Sequence, residues 1–246
     1  MRSERTPVGF ARDGGLVEEA WPHARNPELA AAPKADLRAV WEQVADRHLE
    51  LRAAGHSSGW MVALLGDGSS SEPLTYGERE ILVPVLCGRQ QKQAAGDSKI
   101  ACSTASKRYT LGAKRLGLHG APIPLPLIVA AQAWASKDSL AADARGFTFR
   151  RRGQHYFLIG VPRPDFSGVG GLTPAERDVA SRCVEGQSKV EIARIRSTSL
   201  STISCQIRSV YSKCKSTGRY ALVAYAAAEG QLQWRAGPLP APAPPT

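Results

Sequence analysis

The chain lacks the long apolar segments of membrane and secreted proteins. None of its stretches approaches the roughly 20 consecutive apolar residues that a membrane-spanning helix needs. Residues 1–15 mix charged residues with glycine and contain no apolar signal-peptide core. We therefore expect a cytoplasmic protein with no membrane partner.

Cysteine is scarce, and its spacing fits neither a disulfide framework nor a metal site. The five cysteines form no CxxC pair, and an odd number cannot all pair within one chain. Structural zinc usually needs closely paired ligands. We expect no metal site and free thiols at all five positions, which are Cys87, Cys102, Cys183, Cys205 and Cys214.

Motifs of the common enzyme classes are missing as well. The sequence has no GxSxG elbow, Walker loop, HExxH pair or dinucleotide-binding glycine pattern, and its five histidines stand singly. It also lacks the strand-helix alternation and acidic cluster of a phosphoacceptor module. We expect no catalytic residues, no cofactor and no enzymatic activity.

Acidic residues are outnumbered, with 22 Asp and Glu against 32 Lys and Arg, a formal net charge of +10. This excess favours an anionic partner, either nucleic acid or an anionic membrane surface. Since no segment supports the membrane, nucleic acid is the preferred partner. The hydrophobic content of 43% is enough for a sizeable core.

The first third of the chain predicts one helix and one strand. Residues 1–34 are rich in proline, alanine and charge without periodicity, which is typical of a loose segment. In residues 36–51 the apolar side chains recur at amphipathic-helix spacing. The short apolar run 60–65 ends at a Gly-Asp-Gly turn and predicts a buried strand.

A second group of strands is predicted in the middle of the chain. Residues 147–150 and 155–161 flank a turn-like segment and indicate a β-hairpin, for which the 60–65 strand is a candidate partner. Residues 162–171 have the composition of a Pro/Gly linker, and the Pro-rich tail 231–246 has too few apolar side chains to fold.

From Leu172 onward, four helices are marked by their start and stop signals. Thr173 followed by Pro174 and Glu176 predicts a capping box at the start of the first helix, and Gly186 predicts its end. Ser188 and Ser199 are candidate caps of the second and third helices. We expect the inward apolar residues to be Val179, Cys183, Val184, Ile192, Ala193, Ile203, Ile207, Val210, Cys214, Leu222, Val223 and Ala226.

This segment resembles the LuxR (GerE-type) helix-turn-helix of bacterial transcriptional regulators over about 55 residues, through LTPAERDV, EGQSKVEIA, STI and GRYALVAYA. The resemblance implies that the third helix enters the major groove of double-stranded DNA. It places Ser204, Cys205 and Arg208 at base edges and Thr202, Lys213 and Lys189 near phosphates, with Ser201 on the same outer face. It also implies a homodimer through the fourth helix.

Two other functions compete with a sequence-specific regulator. Similar four-helix folds occur in region 4 of sigma factors, so a protein-interaction module contacting RNA polymerase is the main alternative. An enzyme with an appended DNA-binding domain is a weaker one. The 172–226 segment carries nine basic and four acidic residues, and this charge favours DNA.

An internal repeat precedes this domain. Shifting the chain by 98 residues aligns ten identities in 47 positions, where composition alone gives roughly three. They include Leu74-Thr75 on Leu172-Thr173 and Gly88 on Gly186. We infer a degenerate LuxR-like unit at 74–135, also with a net charge of +5, whose first helix contains Pro84 and whose fourth helix we expect at 127–135.

Two hypotheses for the upstream unit remain open. As a second DNA reader, it presents Ser106, Lys107 and Thr110 to a groove and can replace a homodimer partner. As a decayed copy, it serves packing or dimer contacts, and its cations are merely solvated.

The sequence as a whole predicts a mainly α fold with a C-terminal four-helix LuxR-type bundle, a degenerate upstream helical unit, and a few short strands near 60–65 and 147–161. The predicted divisions are 1–34 (loose), 35–73 (helix and strand), 74–135 (upstream unit), 136–171 (hairpin and linker), 172–230 (DNA-binding domain) and 231–246 (tail).

Overall fold

The computed structural model describes residues 32–46, 48–57, 59–68, 72–118, 122–136 and 143–228. Most of the predicted loose N-terminus and the Pro-rich tail lie outside these ranges. Within them the elements are, in chain order, α1 (Leu37–Ala45), β1 (Leu49–Ser57), β2 (Trp60–Asp67), α2 (Tyr76–Leu86), α3 (Gln91–Asp97), α4 (Cys102–Arg115), α5 (Leu125–Ala135), β3 (Arg145–Arg151), β4 (Gln154–Pro162), α6 (Pro174–Glu185), α7 (Lys189–Ile195), α8 (Leu200–Lys213) and α9 (Arg219–Ala228).

The predicted helix over 36–51 is wrong in its second half. It begins where expected, because the Asp36 carboxylate accepts hydrogen bonds from the backbone N–H groups of Arg38 and Ala39. It ends at Ala45, and strand β1 follows. β1 pairs with β2 along its whole length, so ladder hydrogen bonds override the local helical periodicity. Leu51 joins the core from a strand.

The four strands form one antiparallel sheet in the order β1-β2-β4-β3. The β3–β4 hairpin is confirmed, and its turn residues Arg152 and Gly153 both have positive φ angles. β2 pairs with β4 from Trp60 opposite Pro162, as the sequence suggested. One face of the sheet, including Met61 and Val161, contributes to the main core with the helices. The opposite face carries a second buried apolar cluster.

Two segments expected to be loose pack onto this framework. At the end of the predicted N-terminal segment, the Pro33 carbonyl accepts a hydrogen bond from Gly146 N–H. The backbone of Lys34 forms an isolated antiparallel β-bridge with Arg145 at the sheet edge. In the predicted linker 162–171, the side chains of Phe166 and Val169 are buried in the main core. The sheet and the C-terminal helices therefore share one hydrophobic core.

Helix α5 lies at the centre of this core. It begins at Leu125, two residues before the predicted start, with Pro124 as its N-cap and Pro126 in its first turn, where a missing N–H costs nothing. All nine residues from Leu125 to Ala133 are buried. The helix packs on α1, α2, α9, β2 and β4. Its one buried amide, Gln132, donates to the Leu86 carbonyl at 2.7 Å.

The two helical units repeat each other at the 98-residue offset. The ranges of α3 and α4 fall on those of α7 and α8 residue for residue. The positive φ angles repeat as well, at Gly88 and Gly186 (92° and 91°), Lys99 and Ser197 (53° and 51°), and Gly117 and Lys215 (82° and 47°). Pro84 lies near the end of α2, and the helix continues past it to Leu86.

We expect Gly88→Ala to destabilise the protein by at least about 1 kcal/mol more than Gly171→Ala. Both glycines have positive φ, near 90° and 80°, so alanine costs about 1 kcal/mol of backbone strain at either site. A Cβ on Gly88 also lies 2.6 Å from the Ala221 Cα, which adds overpacking, whereas one on Gly171 meets no atom within 4 Å among the described residues. Urea unfolding of the two variants measures the difference. Equal losses would contradict close contact between α9 and the end of α2.

Candidate nucleic-acid interface

The first helix of the C-terminal unit is fixed at both ends by the predicted signals. Thr173 Oγ1 accepts from the Glu176 N–H at 3.3 Å, and the Glu176 carboxylate accepts from the Thr173 N–H at 2.7 Å. Gly186 ends the helix in the left-handed conformation. Arg219, at the start of α9, donates to the Val184 carbonyl from two nitrogens. α6 is therefore capped by its own sequence and by the fourth helix.

Helices α7 and α8 form the helix-turn-helix. Ser188 caps α7 in a capping box with Glu191, and Ser199 caps α8 by accepting from the Thr202 N–H at 3.1 Å. Between them the chain turns at Ser197, whose φ is 51°. All twelve residues predicted to face inward from α6 to α9 are buried. Because the buried face is fixed, the opposite side of α8 is presented outward.

The predicted DNA-contacting residues of α8 lie on this outer side. Ser201, Thr202, Cys205 and Arg208 are exposed, and Ser204 is half-buried. The hydroxyls of Ser201 and Thr202 lie 2.7 and 2.8 Å from the Ser199 Oγ, so they extend the cap of the helix. These side chains form a polar surface over the first two and a half turns.

A groove of about 440 Å³ brings Lys189 of α7 together with Ser204 and Arg208 of α8. Lys189 is exposed at the first position of its helix. Among the residues that the structure describes, the Arg208 guanidinium has no hydrogen-bonding or ion-pair partner. A cation from each helix is therefore available at the same groove.

Lys213 has a partner inside the domain. Its ammonium lies 2.9 and 2.7 Å from the two carboxylate oxygens of buried Glu176, which also accepts from the Ser209 hydroxyl at 2.6 Å. These bonds, with those from Thr173, lower the pKa of Glu176 from its ordinary 4.5 to about 2. The network ties α6 to α8. The phosphate contact predicted for Lys213 stays a prediction. A phosphate there has to bind an ammonium that already donates to the Glu176 carboxylate.

The spacing of the helix over 189–195 predicts that Arg194 and Arg196 face outward, and for Arg196 this prediction is wrong. Arg196 is half-buried, with Nε 3.3 Å from the Asp178 carboxylate and Nη1 donating to the Ala175 carbonyl and Gln206 Oε1. It therefore joins the turn to α6 and α8. Helical periodicity predicts an outward side chain because it reports only the neighbours on the same helix. The partners of Arg196 lie on α6 and α8. Arg194 is exposed, as expected.

Three exposed apolar side chains around the helix-turn-helix were missed by the sequence reasoning. Val190 is 65% exposed, and Ile195 and Leu200 are also on the surface. The signal was present, since Val190 and Ile195 both fall off the inward face defined by Ile192 and Ala193. Such groups can contact thymine methyls or a protein partner.

On the upstream unit, Ser106, Lys107 and Thr110 are all exposed on α4. The neighbouring Arg108 is half-buried, with its guanidinium 3.6 Å from the Glu80 carboxylate. Of these two neighbouring cations, Lys107 is therefore the one exposed to solvent.

A comparison with protein-family models matches residues 171–226 to the bacterial regulatory proteins of the luxR family. The C-terminal domain is a LuxR-family helix-turn-helix. It is the DNA-binding domain of a family of regulatory proteins. The matched range begins one residue before Leu172 and ends within α9, so it covers the four helices described above. No curated protein and no solved structure matches the chain.

Other site types find no support in the described part of the chain. No three His, Cys, Asp or Glu side chains group there as metal ligands. Within the same ranges, none of the helices has the length and apolarity to cross a bilayer.

We expect Glu176→Gln to lower the free energy of unfolding at pH 7 by about 1 to 3 kcal/mol, because it removes the charge that Lys213 and Ser209 bind. A carboxyl pKa lowered by folding stabilises the protein above pH 4.5, and this stability is lost as the pH falls towards 2. The variant should therefore lose less stability than wild type over that interval, as measured by thermal unfolding.

Glu191→Gln is the matched control for this prediction. Glu191 occupies the same position of a capping box, but it is exposed, so we expect a loss below about 1 kcal/mol. Equal effects of the two substitutions would show that the network with Lys213 adds nothing beyond the cap.

The cysteines should divide into two reactive and three protected thiols. All five are free; Cys102 and Cys205 are exposed, whereas Cys183 and Cys214 are buried and Cys87 is half-buried. Burial raises the pKa of Cys87 and Cys183 to about 11, and also raises that of Cys214. With a maleimide at pH 8, mass spectrometry should detect two fast adducts, and five in denaturant. A third fast adduct in the folded protein would contradict the structure.

Proposed function

We propose that the protein is a transcriptional regulator that inserts α8 into the major groove of duplex DNA and recognises a specific sequence. The observation that carries this is the exposed polar side of α8, where Arg208 has no partner among the described residues, on a helix whose opposite side is buried. A guanidinium can donate two hydrogen bonds to the O6 and N7 acceptors of guanine. Ser204 and Cys205 lie beside it and complete the base-reading surface.

Phosphate contacts supply most of the affinity in this proposal. Lys189 shares the groove with Arg208, so when α8 lies among the bases the Lys189 ammonium is available to the adjoining backbone. Thr202 and Ser201 contribute hydroxyls at the start of α8, and Lys213 lies at its far end. The excess of basic residues in this domain provides the longer-range attraction.

Preorganisation supports this function. Glu176, Ser209 and Lys213 fix the angle between α6 and α8, and Arg196 fixes the turn before α8. A reading helix held in this way loses less conformational entropy when it binds. The proposal assigns the domain a binding role, with no catalytic residue and no cofactor. Contact with RNA polymerase, as in sigma region 4, is the competing function.

The test is selection of binding sites from a random duplex pool by the full chain at physiological ionic strength, followed by titration of variants. Arg208→Ala should weaken the preferred site by about 1 to 3 kcal/mol and relax the preference at one base pair. Lys189→Ala should weaken all sequences alike and reduce the salt dependence by about one phosphate contact.

Lys34→Ala is the control, because it removes the same charge from a side chain that is 79% exposed at the sheet edge. We expect it to leave both measurements unchanged. Failure to select any sequence above non-specific duplex would overturn the proposal. Capture of RNA polymerase that survives nuclease, with no sequence preference, would favour the competing function.

A further inference from the structure

We propose that the upstream unit, residues 74–135, is a second DNA reader, so that a single chain binds a bipartite operator with two different half-sites. In this arrangement α4 enters one major-groove segment and α8 the next. The inference rests on the proposed function of α8. It extends that function to the outer side of α4, the helix that corresponds to α8 in the upstream unit.

The upstream unit keeps the geometry of a helix-turn-helix. Lys99, between α3 and α4, adopts φ 53°, and Ser197, between α7 and α8, adopts φ 51°. Non-glycine residues rarely adopt this conformation, so its return at the same offset indicates the same turn. α3 and α4 also have the lengths of α7 and α8. The turn between α3 and α4 therefore keeps its conformation, although the sequence of the upstream unit has diverged from that of the C-terminal domain.

A buried carboxylate fixes α4 in the way that Glu176 fixes α8. Glu78 accepts from the Thr75 N–H at 2.9 Å and from Arg115 Nε at 3.0 Å. Arg115 is the positional equivalent of Lys213, so the cation at the end of the third helix returns to the start of the first helix in both units. A copy that served only to fill space would not need this preorganisation.

The two units meet through equivalent surfaces. The fourth helices α5 and α9 pack on each other. Gly88, at the end of α2, lies against Ala221 of α9, and its equivalent Gly186, at the end of α6, lies near Pro122 just before α5. Tyr109 of α4 also contacts α9, with its hydroxyl 2.9 Å from that of Tyr220. The two glycine contacts are reciprocal, because each unit places the end of its first helix against the fourth-helix region of the other, and we infer a pseudo-two-fold relation from them.

This pseudo-two-fold arrangement has a geometric consequence. A two-fold rotation preserves the direction along its axis, so we infer from this symmetry that the outward sides of α4 and α8 face the same end of the molecule. Two half-sites on one face of a duplex require such a pair, with centres about 10 base pairs or a multiple apart. Since α5 of the same chain already packs on α9, the chain provides internally the partner that a homodimer would supply.

The two reading surfaces are chemically different. Ser106 and Ser204 are equivalent, but Lys107 stands where α8 has Cys205, and Thr110 stands where α8 has Arg208. On α4, Lys107 therefore lies about one helical turn before the position that corresponds to Arg208. That position holds Thr110, so the guanidinium of Arg208 has no counterpart there. A symmetric homodimer reads a palindrome, whereas these surfaces require an asymmetric operator.

The decisive experiment is the site selection described above, analysed for length, symmetry and stoichiometry. We expect two dissimilar conserved blocks separated by a whole number of helical turns, and a complex of one chain per duplex in native mass spectrometry. One conserved block, or a palindrome bound by two chains, would overturn the inference while leaving the proposed function of α8 intact.

Variants of the two surfaces separate the two proposals. Lys107→Ala should weaken operator binding about 5- to 100-fold, comparable to loss of one good base or phosphate contact, and change the selected bases in one block only. Arg208→Ala should change only the other block. Lys34→Ala is again the charge control. If Arg208→Ala alters selection and Lys107→Ala alters neither affinity nor salt dependence, the second reader is excluded.

The two reactive thiols give an independent measurement on the unmodified protein. Cys102 is the first residue of α4, and Cys205 lies on the outer side of α8. A full operator should slow alkylation of both thiols, whereas a duplex holding only the α8 half-site should protect Cys205 and leave Cys102 reactive. Protection of Cys205 alone by the full operator contradicts the second reader, and protection of neither contradicts both proposals.

Discussion

The arrangement of the molecule depends on the burial of α5. A helix that is apolar on every side must be covered all round, and here α1, two strands of the sheet, α2 and α9 provide that cover. The single amide on it, Gln132, donates to backbone carbonyls of both helical units, at Leu86 and Tyr220. Because every larger part of the fold touches this helix, their relative positions are set by one hydrophobic core.

The same burial explains how a DNA-binding surface can be rigid in a small protein. Each unit puts its apolar residues inside and leaves one polar side of its third helix outside. The capping boxes and the carboxylate-to-cation contacts then fix the angle at which that side is presented. In the proposed function, charge on the surface supplies attraction and the buried contacts supply geometry, so that affinity and specificity are assigned to different residues.

Local signals predicted the C-terminal domain well, because they act over a few residues. Thr173, Ser188 and Ser199 cap the helices that the sequence assigned to them, and Gly186 ends α6. All twelve apolar positions that the periodicity placed inside α6 to α9 are buried, although Ala180 and Glu176 of α6 are buried as well. Prediction was poorer upstream, where the helix assigned to 36–51 ends at Ala45 and a strand of nine residues was missed. A strand forms when a distant strand is there to pair with, which periodicity within the segment cannot report.

The sequence by itself determined the caps, the buried faces, the LuxR-family domain and the 98-residue repeat, since each of these is written in residue identity and spacing. Only the tertiary structure decided that Lys213 and Arg196 have partners inside the domain, and that Phe166 and Val169 of the expected linker are buried. It also decided that α5 packs on α9, and that Tyr109 of α4 contacts Tyr220 of α9, 111 residues away. Such contacts depend on how complete helices fill a shared core, and this is a property of volume and shape that no local pattern contains.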